Sequence, residues 1–251
     1  MKEIFYALFK RILFNNVKDF EKELDKSINW EQFIQISKRN NCISYINYYM
    51  GEILPQIPQQ YLSEYREDKK KRQAIQIDHL KKIKNMFDKN DIQYILVKGF
   101  AFSKIINHDF FFRDSHDVDI VIKEKDGEKV MRLLYEHGCL CHIDGQKVRP
   151  YPILKNSNMH EYFDLSFNQE NSVFEVATTI HGLRDVRYID LLFESMEEML
   201  IYDQIPIKIL NIKHQFIHIC TNIYNDEEYR DIFDLRNYYD LILFMALLPK
   251  S

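Results

Sequence analysis

A change of periodicity near residue 90 constrains this chain more than any other feature. Before it, apolar residues recur at helical spacing. Beyond it, short β-rich runs alternate with helical ones. Ile4, Leu8, Ile12, Phe20 and Leu24 mark an amphipathic helix within residues 3 to 24, and residues 30 to 36 repeat the pattern after Asn29. Past the break at Pro55 and Pro58, residues 59 to 88 predict a long charged helix with Ile77, Leu80, Ile83 and Phe87 as its buried stripe. Then come a strand over 94 to 97, a helix from about Phe100, a strand over 118 to 122 and a helix through Tyr135. Further strands are expected over 140 to 143, 162 to 167 and 174 to 178. From Tyr188 the pattern is helical again, interrupted by an alternating run over 205 to 209 that suits an edge strand or hairpin arm. Helices are expected over 212 to 224 and 228 to 247, with residues 225 to 228 as loop and N-cap between them.

This order predicts an α+β fold: a mixed β-sheet core over residues 91–182, a helical region over 1–90 and a mainly helical region over 183–251, packed as one compact unit. Six Gly and six Pro in 251 residues are too few for an all-β fold of many tight turns. A formal charge of −4 supplies no general attraction to nucleic acid or anionic membrane. The one strong basic cluster, Lys69-Lys70-Lys71-Arg72, is expected as a solvated helix face, with phosphate or polynucleotide contact as the alternative. Cys42, Cys139, Cys141 and Cys220 form no CxxC pair and are expected to be structural thiols. No long apolar run or signal-type segment occurs, so a cytoplasmic location without membrane contact is expected. Hydrolase elbows, Walker loops and dinucleotide-binding Gly-x-Gly-x-x-Gly motifs are all missing from the sequence.

Chemistry concentrates in the segment from Arg113 to Ile122. Val118, Ile120 and Ile122 would point into a core, which leaves Asp117 and Asp119 side by side on the opposite face of the strand. Two carboxylates in a partly buried site need compensation, and a divalent cation supplies it while chelating a triphosphate. Carboxylates at this spacing can bridge metals about 3.5–4 Å apart, which suits phosphoryl-type displacement. About 20 residues upstream, Tyr94-Ile95-Leu96-Val97-Lys98-Gly99 reads as a buried strand ending in a glycine turn before a helix. That puts backbone amides and the Lys98 ammonium where phosphates would sit.

Val97-Lys98-Gly99 followed by Arg113-x-x-x-Asp117-x-Asp119 resembles the polymerase-β-type nucleotidyltransferase superfamily, within it a bacterial minimal branch with an aliphatic-Lys-Gly turn. Residues 94 to 125 carry the specific part of the resemblance. It implies Mg²⁺- or Mn²⁺-dependent transfer of a nucleoside monophosphate from an NTP to an acceptor, with pyrophosphate leaving. The sequence does not distinguish a small molecule, a peptide or protein side chain and an RNA end as acceptor. The resemblance makes Asp117 and Asp119 metal ligands, with Glu175 as the third acid that also activates the acceptor. Glu175 has Val173 and Ala177 as same-face neighbours, so its charge needs a partner; Asp164 competes for the role. Lys98 and Gly99 would hold the phosphates, with Ser103 one turn further on and Arg113 as a triphosphate or acceptor contact; the alternative for Arg113 is a structural ion pair. Phe100 departs from the pattern, since many members carry Ser or Gly there, and this departure motivates the alternative of a catalytically inactive binding or regulatory module. His214 and His218, at i and i+4, are expected to be structural, and His116, His160 and His181 are weaker site candidates.

Overall fold

The computed structural model describes residues 28–52, 54, 56–107, 112–115, 117–137, 139–143, 146–147, 163–167, 173–178, 186–201, 205–230 and 235–247. The helix expected within residues 3 to 24 lies outside them, as do His116, His160 and His181. Three helices come first: α1 (Trp30–Arg39), α2 (Ile43–Met50) and the long α3 (Gln56–Lys89). Asn29 caps α1, its side-chain oxygen accepting the Gln32 amide at 3.0 Å. Then follow β1 (Tyr94–Val97), α4 (Lys98–Asn107), β2 (Asp117–Ile122), α5 (Gly127–Glu136), β3 (Cys139–Ile143), β4 (Gln146–Lys147), β5 (Phe163–Phe167) and β6 (Val173–Ala177). The chain continues through α6 (Val186–Glu194), β7 (Met196–Ile201), β8 (Ile205–Leu210), α7 (Ile212–Arg230) and α8 (Leu235–Leu247).

The fold is α+β, with one mixed eight-stranded sheet in the order β4-β3-β5-β6-β2-β1-β8-β7. β2 runs antiparallel to β1 and parallel to β6, while β8 joins β1 in parallel. One sheet face carries Tyr94, Leu96, Val118, Ile120, Ile122, Phe174 and Val176 against Leu80, Ile83 and Phe87 of α3 and Val130, Met131 and Leu134 of α5. On the other face, Ile95, Val97 and Val121 pack against Ile189, Leu192 and Phe193 of α6. The N-terminal helices form a second core around Phe33, Tyr45, Ile46 and Leu62 that takes in Tyr239 and Leu243 of α8.

Two expectations for the C-terminal region are corrected. Residues 196–201, expected as helical, form β7, hairpinned to β8 with Met196 opposite Leu210 and Ile201 opposite Ile205. Pairing with an available strand overrides the helical preference of Glu197 and Glu198. β8 is therefore a hairpin arm but not an edge, because β7 takes the edge. Pro206 is accommodated because the β1 ladder reaches β8 at Ile209, away from the proline. Residues 225–228, expected as a loop, continue α7 to Arg230. That cluster contains neither Gly nor Pro, so nothing in it breaks the helix. Among the described residues, no helix is long and apolar enough to cross a membrane.

Candidate active site

β2 alternates acid and apolar residues over its first half, yet it is covered on both faces from Val118 onward. Val118, Ile120 and Ile122 enter the core under α3 and α5, which leaves Asp117 and Asp119 on the α6 side of the sheet with Val121. Asp119 is only 5% exposed. A carboxylate so buried needs a cation or several hydrogen bonds. Lys98 provides the cation, its Nζ lying 2.6 Å from Asp119 Oδ1.

The pairing follows from the strand register. Val97 stands opposite Asp119 in the antiparallel ladder, so the next residue, Lys98, leaves the sheet beside that carboxylate. Lys98 has a φ of 53°, a left-handed conformation that strains a side-chain-bearing residue by on the order of 1–3 kcal/mol. Glycine would remove that strain and also the ammonium. The following Gly99 is required sterically: a Cβ there would lie 2.3 Å from Ser115 Oγ and 3.0 Å from Arg113 Nη1. Ser115 in turn donates to the Asp117 carbonyl at 2.9 Å, with its Oγ 3.1 Å from Asp117 Oδ1.

On the neighbouring strand, Glu175 is the parallel-ladder partner of Asp119, and Asp164 of β5 is in turn the partner of Glu175. By strand alternation, positions 117, 119 and 175 share one sheet face. Among the described residues, no three His, Cys, Asp or Glu side chains group as a metal cage. Asp117 and Asp119 nevertheless suit a divalent cation, because the buried Asp119 carboxylate already accommodates a positive charge at contact distance.

Ser103 and Arg113, expected at the phosphates, are buried and committed to other partners. Ser103 Oγ donates to the Gly99 carbonyl at 3.0 Å and accepts the Arg113 amide at 2.9 Å. The Arg113 guanidinium pairs with Asp240 of α8, Nε to Oδ2 at 2.7 Å, and lies over the Phe102 ring. This contact matches the alternative raised for Arg113, a structural ion pair with an acid, here Asp240. Tyr45 of α2 also donates to Asp240. Burial pushes the Asp240 carboxyl up, opposed by the Arg113 guanidinium and the Tyr45 hydroxyl. Phe100 is buried in the main core.

The matching sequence profile spans residues 26–250 and describes an uncharacterised nucleotidyltransferase. The chain belongs to this nucleotidyltransferase family. None of the curated proteins matches it. Among solved structures, it is similar to the lincosamide antibiotic adenylyltransferase LnuA in its lincomycin-bound form, with 12% identity and a TM-score of 0.43 over 68% of this chain and 97% of that one. It is also similar to the antibiotic-resistance factor ANT(2'')-Ia in solution, with 10% identity and a TM-score of 0.47 over 70% and 85% of the two chains. A crystal complex of ANT(2'')-Ia with adenylyl-2''-tobramycin gives 12% identity and a TM-score of 0.46 over 70% and 90%.

In this member of the family, the loop before β2 is held by residues that sequence reading did not assign to the site. Lys69 Nζ reaches the Phe112 carbonyl at 3.2 Å, Arg72 Nη2 meets both Asp114 oxygens at 3.1 and 3.2 Å, and Gln76 Nε2 donates to the Ser115 carbonyl at 3.1 Å. The basic run is thus not a uniform solvated face. Lys70 and Lys71 are exposed, while Lys69 is buried and Arg72 half-buried over the loop. A readable signal existed. Lys69, Arg72 and Gln76 continue, at helical spacing, the stripe of Leu80, Ile83 and Phe87, and polar residues in apolar phase indicate a polar partner.

The histidines at i and i+4 have separate surroundings: His214 Nδ1 meets Ser195 Oγ at 2.8 Å, whereas His218 is buried against the Phe102 ring. Cys42 and Cys220 are free thiols.

Proposed function

We propose that this protein is a metal-dependent nucleotidyltransferase that moves a nucleoside monophosphate from an NTP to an acceptor hydroxyl or similar nucleophile. In that step the acceptor oxygen bonds to the α-phosphorus, the bond to the β-phosphate bridging oxygen breaks, and pyrophosphate leaves. The observation that carries the reading is the face shared by Asp117, Asp119 and Glu175, beside the Lys98-Gly99 turn.

Asp117 and Asp119, with Glu175, would hold Mg²⁺ or Mn²⁺. Such a cation, when bound, neutralises charge on the α-phosphate and the departing pyrophosphate. Lys98 and the first amides of α4 contribute positive potential to the β- and γ-phosphates. Glu175 takes the acceptor proton as the new bond forms. Ser103 and Arg113 act from beneath, as residues that set the turn and the loop, and Ser115 orients Asp117. Prearranged charge of this kind stabilises the transition state without reorganisation during the step.

The test is calorimetric binding of ATP, GTP, CTP and UTP, each with and without Mg²⁺, to the wild type and to an Asp117→Asn, Asp119→Asn double variant. Metal-dependent binding of at least one nucleotide, abolished in the variant, is the expected result and opens a screen of small molecules, proteins and RNA ends as acceptors. No binding of any NTP under either condition would overturn the proposal in favour of a partner-binding module that retains the fold.

A further inference from the structure

We infer that His214, steered by Ser195, contacts the terminal phosphate of the nucleotide and makes the site prefer triphosphates to diphosphates. The inference rests on the function proposed above and specifies what the β8 flank of its site recognises.

The sheet sets which part of a nucleotide reaches which strand. In the order β6-β2-β1-β8, Glu175 stands on one flank of Asp119, and α7 begins after β8 on the other. Transfer at phosphorus keeps the attacking and leaving oxygens roughly in line. An acceptor activated over β6 therefore sends the pyrophosphate over β1, where Lys98 and Gly99 turn out of the sheet, and on towards β8. β8 runs parallel to β1 with Ile209 beside Leu96, so both strands deliver the chain to the same end of the sheet. Two strand spacings, about 10 Å, separate β8 from β2. The outer phosphates close that gap from one side and a histidine side chain from the other.

His214 is placed for this contact. It lies in the first turn of α7, where Asn211 Oδ1 accepts its amide at 3.0 Å. The backbone donor is thereby committed, which leaves the half-buried imidazole as this residue's means of meeting a ligand. Two contacts set the ring: Nδ1 lies 2.8 Å from Ser195 Oγ, and the Tyr188 ring meets it edge to face at 5.9 Å between centroids. Tyr188 packs with Val97, Val121 and Leu210 on the α6 side of the sheet, the side that carries Asp117 and Asp119.

Ser195 is tied to the end of β8, because its carbonyl accepts Asn211 Nδ2 at 3.3 Å. Its hydroxyl lies closer to His214 Nδ1 than to the Leu192 carbonyl, at 2.8 against 3.3 Å, and donation to Nδ1 leaves the ring proton on Nε2. Burial and the neighbouring Lys213 ammonium push the imidazole below its ordinary value, which favours this neutral donor form. A hydrogen bond to a charged phosphate oxygen changes affinity by on the order of tenfold, and only a triphosphate extends far enough to make it.

The experiment is calorimetric titration, in the presence of Mg²⁺, of ATP, GTP, CTP and UTP and the matching diphosphates. The analogues α,β-methylene-ATP and α,β-methylene-ADP serve as a pair that cannot be turned over. Wild type, His214→Phe, His214→Gln and Ser195→Ala are compared, each checked for fold by circular dichroism. The wild type is expected to bind the triphosphate of its preferred base about tenfold more tightly than the diphosphate. His214→Phe keeps an aromatic ring against Tyr188 but no donor. It should bind the triphosphate only as tightly as the diphosphate, with diphosphate affinity unchanged. His214→Gln supplies an N–H donor again and should recover part of the preference. Ser195→Ala releases the ring and should weaken the preference, so it carries the test if the phenylalanine variant fails to fold.

A folded His214→Phe with the wild-type ratio of triphosphate to diphosphate affinity, or a wild type without that preference, would overturn the inference and leave the proposed function standing. Equal loss of both affinities in the variant would also overturn it, assigning Tyr188 and His214 to the nucleoside or to the fold. Absence of Mg²⁺-dependent nucleotide binding in the wild type would overturn the proposed function as well.

Discussion

Gly99 and Asp240 show how single atoms control this site. A methyl group at position 99 would lie 2.3 Å from Ser115 Oγ, and Ser115 cannot retreat without loosening its contact with Asp117. Gly99→Ala is therefore expected to lower unfolding free energy by about 1–3 kcal/mol, read by urea denaturation, and to weaken metal-dependent nucleotide binding in calorimetry. Asp240 is fully buried and leans on Arg113. Removing one partner of a buried pair typically costs about 3–5 kcal/mol, so Arg113→Met should be among the most damaging single changes here. The deficit depends on pH with a definite sign. Burial already raises the Asp240 carboxyl above its usual value, and loss of Arg113 raises it further. A carboxyl whose folded pKa is raised contributes stability that is complete below its unfolded value, near 4, and lost as pH rises through the folded value. The penalty of Arg113→Met, measured by denaturation from pH 4 to 8, should accordingly grow towards neutral pH. A penalty that shrank over that range would contradict the assignment.

Among the elements, α3 contributes most to the site without supplying any of its acids. Its stripe of Leu80, Ile83 and Phe87 packs under β1 and β2, and the same stripe, turned polar at Gln76, Arg72 and Lys69, grips the loop that leads into Asp117. Gln76→Leu would leave the Ser115 carbonyl without its donor, at about 1–3 kcal/mol of stability. Mn²⁺ affinity measured with nucleotide analogue should fall with it, because Ser115 touches Asp117. Gln76→Leu that unfolds earlier yet binds metal and analogue as the wild type does would reduce α3 to a packing element. Element identity was largely legible in the sequence. The strand over 94 to 97 and the start of β8 at 205 were readable because apolar and β-branched runs there were bounded by clear breaks. β7 was not, because Met-Glu-Glu-Met-Leu-Ile suits a helix until a partner strand is present. That Asp117 and Asp119 share a face of β2 was legible from the alternation with Val118, Ile120 and Ile122. Their support was not, since Asp240 and Tyr45 reach the loop through tertiary contacts that no local pattern encodes.

For the molecule as a whole, the sheet is the frame that brings distant segments together. Strands from the middle of the chain hold the acids, and the later hairpin β7–β8 completes the sheet beside β1. A separate open cleft lies at the Tyr94 end of β1, lined by residues of both charges including Lys84, Asp88, Lys125, Glu198 and Lys208. The acids stand at the opposite end of that strand, where Val97 pairs with Asp119. Asp240 spans the chain widely, joining Arg113 across 127 residues and Tyr45 across 195. On a ribosome, the chain therefore exposes its acidic strand well before α8 exists to brace the loop ahead of it, and such distant closures form late. A nascent chain halted before residue 235 would thus carry the acids of the proposed reaction without the Asp240 brace on the loop that precedes them.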